Sequence, residues 1–479
     1  MANLNELTIK QAHDGLKKGD FSSVELTRAC LARIKKRNKD INAFITVTEE
    51  LALDEAKKAD GLIAKKKQNI LTGIPFSVKD AIDVKDVRST GSAKILDNYI
   101  PGFESTVVER IRKQGAVLVG KTNCDAFGHG ASNENSMYGP VKNPHNLECV
   151  AGGSSGGSAA SVADHMCLFS IGEDTGGSIR QPASLCGIVG LRPSYGRNSR
   201  FGIMPMASSL DTVGPMAKTV EDIAILEEIM AGHDVKDATT VSDKVPKYSE
   251  EIQNSKFKIR NLRVGVPREY FELEGMDKEV KKIVEEKIKR LKDHKIELIE
   301  VSLPMTKYSI PVYYIIVPSE DSSNLARLDG IRYGVQAEAD NLYDVYAKTR
   351  AQGFPEEVKR RIMIGTYALS AGYYDAYYRK AQKVRTLIIR DFEKVFEQVD
   401  LLVTPTSPFP AFKIGEKKDD LLAMYLADVF TAPAPVAGLP ALSVPVGNTK
   451  AGLPVGLQVV GKRLDEGRVL QLGNMIENL

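Results

Sequence analysis

The sequence predicts an α/β fold with a mixed or parallel sheet. Residues 71–80 and 116–123 have the short apolar pattern of strands, and residues 105–115 between them have the spacing of a helix. Residues 167–180 repeat the order, with an apolar strand, a glycine turn and a helix start. Because a strand–helix–strand order joins neighbouring strands of one sheet, these segments indicate a sheet with helices packed against it.

The first 70 residues are predicted to form a helical arm that packs on this sheet. Apolar residues recur there at helical spacing, and Ser22 with Glu25 has the pattern of a capping box. Further along the chain, helices and short strands continue without an internal repeat or a Pro/Ser-rich linker. We therefore expect a single domain over residues 1–479, with residues 1–70 as its arm.

Composition excludes several classes of protein. The chain has 479 residues, 43% of them hydrophobic, and 65 Lys and Arg against 62 Asp and Glu give a net charge of +3. A dedicated nucleic-acid binder would carry a larger basic excess. Because the sequence has neither a signal peptide nor an apolar run of about 20 residues, we expect a cytoplasmic protein. Its five cysteines contain no CxxC pair, so neither a disulfide framework nor a zinc site is indicated.

The segment AGGSSGGSAAS, residues 151–161, has three possible explanations. A flexible linker has this composition. A phosphate-binding loop would need a lysine after the glycines, and none follows. A nucleophile elbow, GxSxG, is present around Ser154, but an elbow requires a histidine base. The candidates are His129, His145 and His165, each of which is also compatible with a plain loop position.

A catalytic serine could instead use a lysine as its base. Lys79 ends the apolar strand IPFSVKD, where its amine either reaches the surface or is buried. A buried amine has a pKa below its usual value of about 10.4 and can accept a proton. Downstream, EDTGGSIRQP places Ser178 near a helix start, where glycines let backbone N–H groups converge on one oxyanion. A simple reversal of the chain would have the same pattern.

Three segments in this order resemble the amidase signature family of Ser-cisSer-Lys amidohydrolases. They are GIPFSVKD, GGSSGGSAA and DTGGSIRQPASLCGIVGLRPSYGR. Three later segments resemble, within that family, the A subunits of the Glu-tRNA(Gln)/Asp-tRNA(Asn) amidotransferases: FGIMPMASSLDTVGP, IGTYALSAGYYDAYYRKAQKVRTLI and APAPVAGLPALSVPVG. The resemblance implies the amidase signature fold, a large mixed, mostly parallel twisted sheet covered by helices on both faces.

The resemblance also implies a catalytic triad. Lys79 matches the family's base, Ser154 its relay serine with a cis peptide bond, and Ser178 its nucleophile. The backbone N–H groups that match the oxyanion hole belong to Thr175, Gly176, Gly177 and Ser178. The glycines around Ser154 would then permit an unusual backbone rather than flexibility.

For the glutaminases of this family, the resemblance implies an arginine on the carboxylate of glutamine and an aspartate on its ammonium group. The matching residues are Arg361 and Asp428, with Tyr313 lining the pocket. The neighbouring Arg360 and Tyr314 are alternatives, since a shift of one residue in the match would exchange them.

One segment departs from the family pattern. NCDAFGHGASNENS, residues 123–136, stands where the A subunits carry a sequence similar to NMDEFAMGSSTENS. A glutamate is replaced by Ala126, and His129 is gained. The lining of the pocket is therefore expected to differ here, whereas the three triad positions are intact.

The function that the resemblance implies is glutamine hydrolysis within a tRNA-dependent amidotransferase. The ammonia would pass to a B subunit, which uses ATP and Mg²⁺ and binds the mischarged Glu-tRNA(Gln) or Asp-tRNA(Asn), while a small C subunit clamps the pair. No cofactor is expected in this chain. The alternatives are a stand-alone amidase of other acyl amides and a non-catalytic scaffold with the same fold.

Overall fold

The structure, a computed structural model, describes residues 3–253, 262–417 and 420–479. Its strands are β1 (Phe44–Val47), β2 (Pro75–Lys79), β3 (Val117–Thr122), β4 (Lys142–Asn143), β5 (Asn146–Val150), β6 (Phe169–Asp174), β7 (Val189–Arg192), β8 (Thr212–Ala217), β9 (Arg263–Pro267), β10 (Glu297–Val301), β11 (Leu401–Pro405), β12 (Ala441–Asn448) and β13 (Pro454–Gly461).

The α-helices lie between and around these strands. They are α1 (Ile9–Lys18), α2 (Ser23–Ile41), α3 (Glu49–Ala64), α4 (Thr106–Lys113), α5 (Gly156–Ala163), α6 (Arg180–Cys186), α7 (Val220–Met230), α8 (Tyr248–Gln253), α9 (Lys278–Arg290), α10 (Ser309–Asn324), α11 (Leu342–Gly353), α12 (Glu356–Leu369), α13 (Lys380–Gln398), α14 (Leu421–Tyr425), α15 (Pro433–Ala437) and α16 (Glu466–Glu477). None of the described helices is long and apolar enough to cross a membrane.

One eleven-stranded sheet has the order β1-β3-β2-β6-β8-β7-β12-β13-β11-β9-β10. The predicted mixed sheet is confirmed, but the expectation that it is mostly parallel is wrong. Parallel pairing is confined to β3-β2-β6 and β11-β9-β10, while the edge pair β1–β3 and all the pairs from β6 to β11 across the centre are antiparallel. For β12 and β13 the antiparallel direction follows from the connection, because the short turn between them permits only an antiparallel pair.

Helices cover both faces of the sheet, as the resemblance implies. Alternate residues of a strand point to opposite faces. Leu401 and Val403 of β11 accordingly join one apolar core, which also contains residues of α7 and α16. Leu402 between them joins a second core with residues of α10 and α13. The strands are therefore buried on both sides, which explains their continuous apolar runs.

The N-terminal helices pack against the sheet. Ser22 accepts a hydrogen bond from the N–H of Glu25 and the Glu25 side chain accepts one in return, so the predicted capping box is confirmed. Ile9 and Leu26 belong to the same apolar core as Phe76 of β2. The division of the chain into one domain with an arm stays a prediction.

The sheet topology brings the motif segments together. β2 and β6 are parallel neighbours, so their carboxyl ends lie at the same edge. Lys79 is the last residue of β2, and Asp174 is the last residue of β6. The Gly/Ser segment leads into α5, and the DTGGS loop leads into α6. Carboxyl ends of parallel strands are the usual position of a site in an α/β fold.

Candidate active site

Lys79 is completely buried, so the alternative in which its amine reaches the surface is wrong. Its Nζ donates a hydrogen bond to Ser154 Oγ at 2.7 Å and another to the carbonyl oxygen of Glu173 at 3.4 Å. An amine held this way against a serine hydroxyl is positioned to exchange a proton with it. The Lys79–Ser154 pair is thus a candidate for general-base chemistry.

The Gly/Ser segment is a buried part of the core rather than a linker. Every residue from 151 to 161 is buried, and the peptide bond between Gly153 and Ser154 is cis. A Cβ on Gly153 would overlap the Asp125 carboxylate, and one on Gly157 would overlap backbone carbonyl oxygens. The glycines are needed because other groups approach the backbone too closely for any side chain.

The DTGGS loop lies directly against this segment. The N–H of Ser155 donates to the carbonyl oxygen of Ser178 at 3.0 Å, so the two serine clusters are joined by backbone. Ser178 is 7% exposed. Within the described part of the chain, the N–H groups of Gly176, Gly177 and Ser178 donate no hydrogen bond to protein atoms. Buried, unpaired N–H groups of this kind can stabilise a developing oxyanion.

A buried ionic cluster holds the loop in this position. Asp174 forms salt bridges with Arg180 at 3.0 Å and with Arg192 at 3.1 Å, and it accepts the N–H of Ile179 at 3.1 Å. Burial by itself would raise the pKa of Asp174, but the two guanidinium groups and these hydrogen bonds lower it to about 2. Thr175 is fixed in turn through its hydroxyl, which donates to Asp211 at 2.7 Å.

Arg361 is buried on α12, whereas the adjacent Arg360 is partly exposed. Nε of Arg361 donates to Glu357 at 2.8 Å, and its guanidinium lies 5.1 Å from the ring centre of Tyr314. In the described residues, its two terminal nitrogens donate no hydrogen bond, so they can bind an incoming carboxylate. Within the described chain the terminal nitrogens of Arg361 are therefore free to meet a carboxylate, whereas Nη1 of Arg360 is paired with Glu357.

Asp428 and Tyr313 border the DTGGS loop from the other side. A Cβ on Gly176 would lie 2.7 Å from the Tyr313 ring, and Thr431, three residues after Asp428, packs against Gly177. Burial raises the pKa of Asp428 to about 7, and the charge of Arg361 opposes that rise. The opposite charges of Asp428 and Arg361 are thus near enough to interact in the same buried region.

A cavity of about 470 Å³ opens beside these residues. Arg361, Arg360 and Tyr314 line it, together with Tyr425 of α14 and Ala131. The carbonyl oxygen of Ala131 accepts a hydrogen bond from Gln181 of α6 at 2.8 Å, which connects the cavity wall to the helix that follows Ser178. Tyr314 therefore lines this cavity, while Tyr313 lies next to the DTGGS loop.

The histidine explanation receives no structural support. In the described chain neither Ser154 nor Ser178 is hydrogen-bonded to a histidine. His129 is buried with its Nε2 3.0 Å from Asp321 Oδ2, and its Nδ1 is 3.0 Å from the Ala126 carbonyl oxygen. Ala126 itself packs in an apolar cluster. No group of three or more His, Cys, Asp or Glu residues suited to a metal ion occurs in the described residues.

Sequence reasoning missed three buried carboxyl groups of the site. Asp125 accepts the N–H groups of Asn133 and Asn135 and lies against Gly153, and burial raises its pKa to about 7. Glu357 holds Arg361. Glu173 lies beside Lys79. The one available signal was a charged residue inside an apolar strand, at the Glu173 position immediately before DTGGS.

Comparison with known proteins gives the family. The Amidase family model matches residues 25–470. The A subunit of a glutamyl-tRNA(Gln) amidotransferase from Geotalea daltonii is 53% identical, with 99% of this chain and 97% of the relative covered. The chain belongs to the amidase family and is an amidohydrolase.

Solved structures agree with this assignment. The structure of a glutamyl-tRNA(Gln) amidotransferase A subunit from Thermotoga maritima superimposes with a TM-score of 0.83 at 42% identity, covering 100% of this chain and 96% of that one. A peptide amidase from Stenotrophomonas maltophilia gives a TM-score of 0.81 at 27% identity, covering 99% and 96%. The amidase signature fold is therefore confirmed.

Proposed function

We propose that this chain is the glutaminase subunit of a tRNA-dependent amidotransferase. The observation that carries the proposal is the 2.7 Å hydrogen bond from buried Lys79 to Ser154, next to the loop that contains Ser178. The substrate assignment is supported by identities of 53% and 51%, over nearly the whole chain, to proteins named as A subunits of glutamyl-tRNA(Gln) amidotransferases.

The reaction starts from the neutral amine of Lys79. Ser178 gives its hydroxyl proton to Ser154 as Ser154 gives its own to Lys79, and the Ser178 oxygen attacks the side-chain amide carbon of glutamine. The N–H groups of Gly176, Gly177 and Ser178 stabilise the oxyanion, together with that of Thr175, which the family resemblance adds. The C–N bond then breaks, and the nitrogen takes the relayed proton and leaves as ammonia. Water attacks the glutamyl ester, which releases glutamate and restores Ser178.

Substrate selection uses the two charged ends of free glutamine. Arg361 binds the α-carboxylate and Asp428 binds the α-ammonium group, while Tyr313 packs beside the substrate near the loop. The opposite charges in one buried region support this orientation, because each end of the zwitterion finds its complement. A simple amide without the two charges would bind more weakly.

The ammonia is used by partner subunits. In this proposal a B subunit binds mischarged Glu-tRNA(Gln), Asp-tRNA(Asn) or both and activates the acyl group with ATP and Mg²⁺, and a C subunit clamps the pair. This chain needs no cofactor of its own, and the assembly works in the cytoplasm. The relatives' names support a complex of several subunits.

The test is reconstitution with candidate B and C subunits. The chain is co-purified with them, and glutamate release is measured with and without mischarged tRNA and ATP. We expect a complex whose glutaminase rate rises with both additions and disappears in a Ser178→Ala variant. A rate indifferent to partners and tRNA would contradict the coupled function.

A stand-alone amidase is the second candidate, favoured by the similarity to a peptide amidase. A panel of aryl, aliphatic and peptide amides assayed on the isolated chain separates the two. Broad hydrolysis that is unaffected by Arg361→Lys would favour the stand-alone enzyme, since only glutamine needs that guanidinium.

A further inference from the structure

A carboxyl group that the mechanism above does not use lies beside the catalytic lysine. Oε2 of Glu173 is 3.6 Å from Nζ of Lys79, and both side chains are buried. In the described residues neither carboxyl oxygen of Glu173 has a hydrogen-bond partner. Its backbone, by contrast, is fully engaged, because its N–H and its carbonyl oxygen both contact the Ser155 hydroxyl, at 3.3 and 3.0 Å.

We propose that Glu173 is a positioning residue that favours the protonated form of Lys79 and thereby sets the lower pH limit of the glutaminase reaction. The inference rests on the proposed function, since it assigns Lys79 the role of base. A carboxyl group at this distance stabilises an ammonium ion, and burial removes the water that would screen the attraction.

The other titratable groups near Lys79 either have partners of their own or are neutral. Asp80, next in the chain, is paired with Lys121 at 3.5 Å and accepts backbone N–H groups. Asp125 accepts two backbone N–H groups, and burial raises its pKa to about 7. Burial also raises the pKa of the Cys124 thiol to about 12, which keeps that group neutral.

The groups near Glu173 leave Lys79 as its main partner. Asp174 is held by two arginines, and Asp211 accepts the Thr175 hydroxyl and backbone N–H groups. Burial raises the pKa of Glu173 to about 8, an effect that Lys79 opposes and Asp211 reinforces. Burial thus disfavours the charged form of Glu173, and the amine of Lys79 offsets part of that cost.

The amine of Lys79 and the carboxyl of Glu173, buried and 3.6 Å apart, can share one proton. In its neutral state the pair contains one proton that either group can carry. While the amine carries it, Lys79 cannot accept a proton from Ser154. Replacing the carboxyl with an amide of the same shape removes the competing anion, so the neutral amine forms at lower pH.

The experiment is a pH profile of kcat/KM for glutamine hydrolysis by the assembled enzyme, compared between the wild type and Glu173→Gln. We expect the acidic limb of the Glu173→Gln profile to move to lower pH by about one to three pH units. On that limb the variant then exceeds the wild type by about tenfold for each pH unit that the limb moves. Glu173→Asp, whose carboxyl is drawn back from the amine, is expected to move the limb in the same direction by less.

Glu227→Gln is the matched control. Glu227 is also a fully buried carboxyl with a pKa raised well above its usual value by burial, but it contacts Asn198 rather than the site. Its replacement should leave the acidic limb in place even if it changes stability.

An acidic limb that stays in place in both Glu173 variants overturns the inference and leaves the proposed function intact. A wild-type complex without glutaminase activity, or one whose activity survives Ser178→Ala, overturns the proposed function and this inference with it. If Glu173→Gln does not fold, the Glu173→Asp profile decides.

Discussion

Individual buried charges define the chemistry of this site. Lys79 contacts one hydroxyl, one backbone carbonyl oxygen and one carboxyl, and Arg361 donates to one glutamate. No described side chain or backbone group donates a hydrogen bond to the carboxylate of Asp428. Burying a charge with few partners is costly, and such groups are therefore found where function requires them. At the residue scale, the contacts that are missing are as informative as the contacts that are present.

Replacement of the lysine tests the base. Lys79→Ala removes the proton acceptor, so we expect kcat for glutamine hydrolysis to fall by about 10²- to 10⁴-fold. The matched control is Lys218→Ala, because Lys218 is also largely shielded but donates to the Asn5 and Leu7 carbonyl oxygens. Its loss should lower the melting temperature and leave kcat unchanged. Equal effects of both changes on kcat would argue against a catalytic role for Lys79.

The two adjacent arginines give a second comparison. Arg361→Lys keeps the charge but cannot form a bidentate contact with a carboxylate, so we expect KM for glutamine to rise by about 10- to 100-fold with a smaller change in kcat. Arg360→Lys, at a partly exposed position, should change KM little. Steady-state kinetics with glutamine as the varied substrate measure both, and the reverse ranking would assign the carboxylate to Arg360.

The sequence predicted some residues of the candidate site, left others ambiguous and did not indicate one of them. Lys79, Ser154 and Ser178 follow from the resemblance of three motifs to a known family, and the structure places the segments that carry them at one sheet edge. Arg361 and Arg360 could not be separated, since neighbouring residues of a helix point in different directions and the sequence did not specify which one faces inward. Glu173 was missed because its importance depends on the strand beside it.

At the scale of elements, glycine-rich loops work by close packing. The Gly/Ser segment and the DTGGS loop are fitted against Asp125, Tyr313 and Thr431 with no space for a side chain. The pairing of the strands that support them was only partly predictable. Local strand and helix patterns indicated a mixed or parallel sheet with helices, but which distant strands become neighbours depends on packing that short patterns do not encode.

Adding a single methyl group to the DTGGS loop tests whether its close packing is needed for activity. In Gly177→Ala the new Cβ would overlap Thr431 Oγ1, so the oxyanion N–H groups must shift. We expect kcat to fall by about 10²-fold or more, the usual effect of losing one such donor. The control is Gly61→Ala on α3, where nothing lies within 4 Å of the new Cβ. That change should raise the free energy of unfolding by about 0.5–1 kcal/mol and preserve activity.

At the scale of the whole molecule, buried carboxyl groups determine how stability depends on pH. Burial raises the pKa of a set of carboxyl groups to between about 6 and about 8: Asp83, Asp125, Glu173, Asp211, Asp222, Asp428, Asp465 and Glu477. Between their unfolded pKa values near 4 and these folded values, the native state binds more protons than the unfolded chain.

The sign follows from proton linkage. Raising the pH across this interval favours the state with fewer bound protons, which is the unfolded one, so we expect stability to decline from about pH 5 to about pH 8. Urea unfolding midpoints over that range measure the slope. In Glu477→Gln, which removes one raised carboxyl on α16, the decline should be shallower. A midpoint that rises with pH would contradict the linkage.

The position of the β12–β13 hairpin has a consequence for biosynthesis. Residues 441–461 are translated after every other strand of the sheet, yet they fill its middle, between β7 and β11. Until they emerge from the ribosome, two sheet edges remain unpaired and open to aggregation. Gln458 of this hairpin also accepts a hydrogen bond from Arg180, the arginine that braces Asp174 at the DTGGS loop. A nascent or truncated chain without this hairpin therefore lacks one brace of the DTGGS loop.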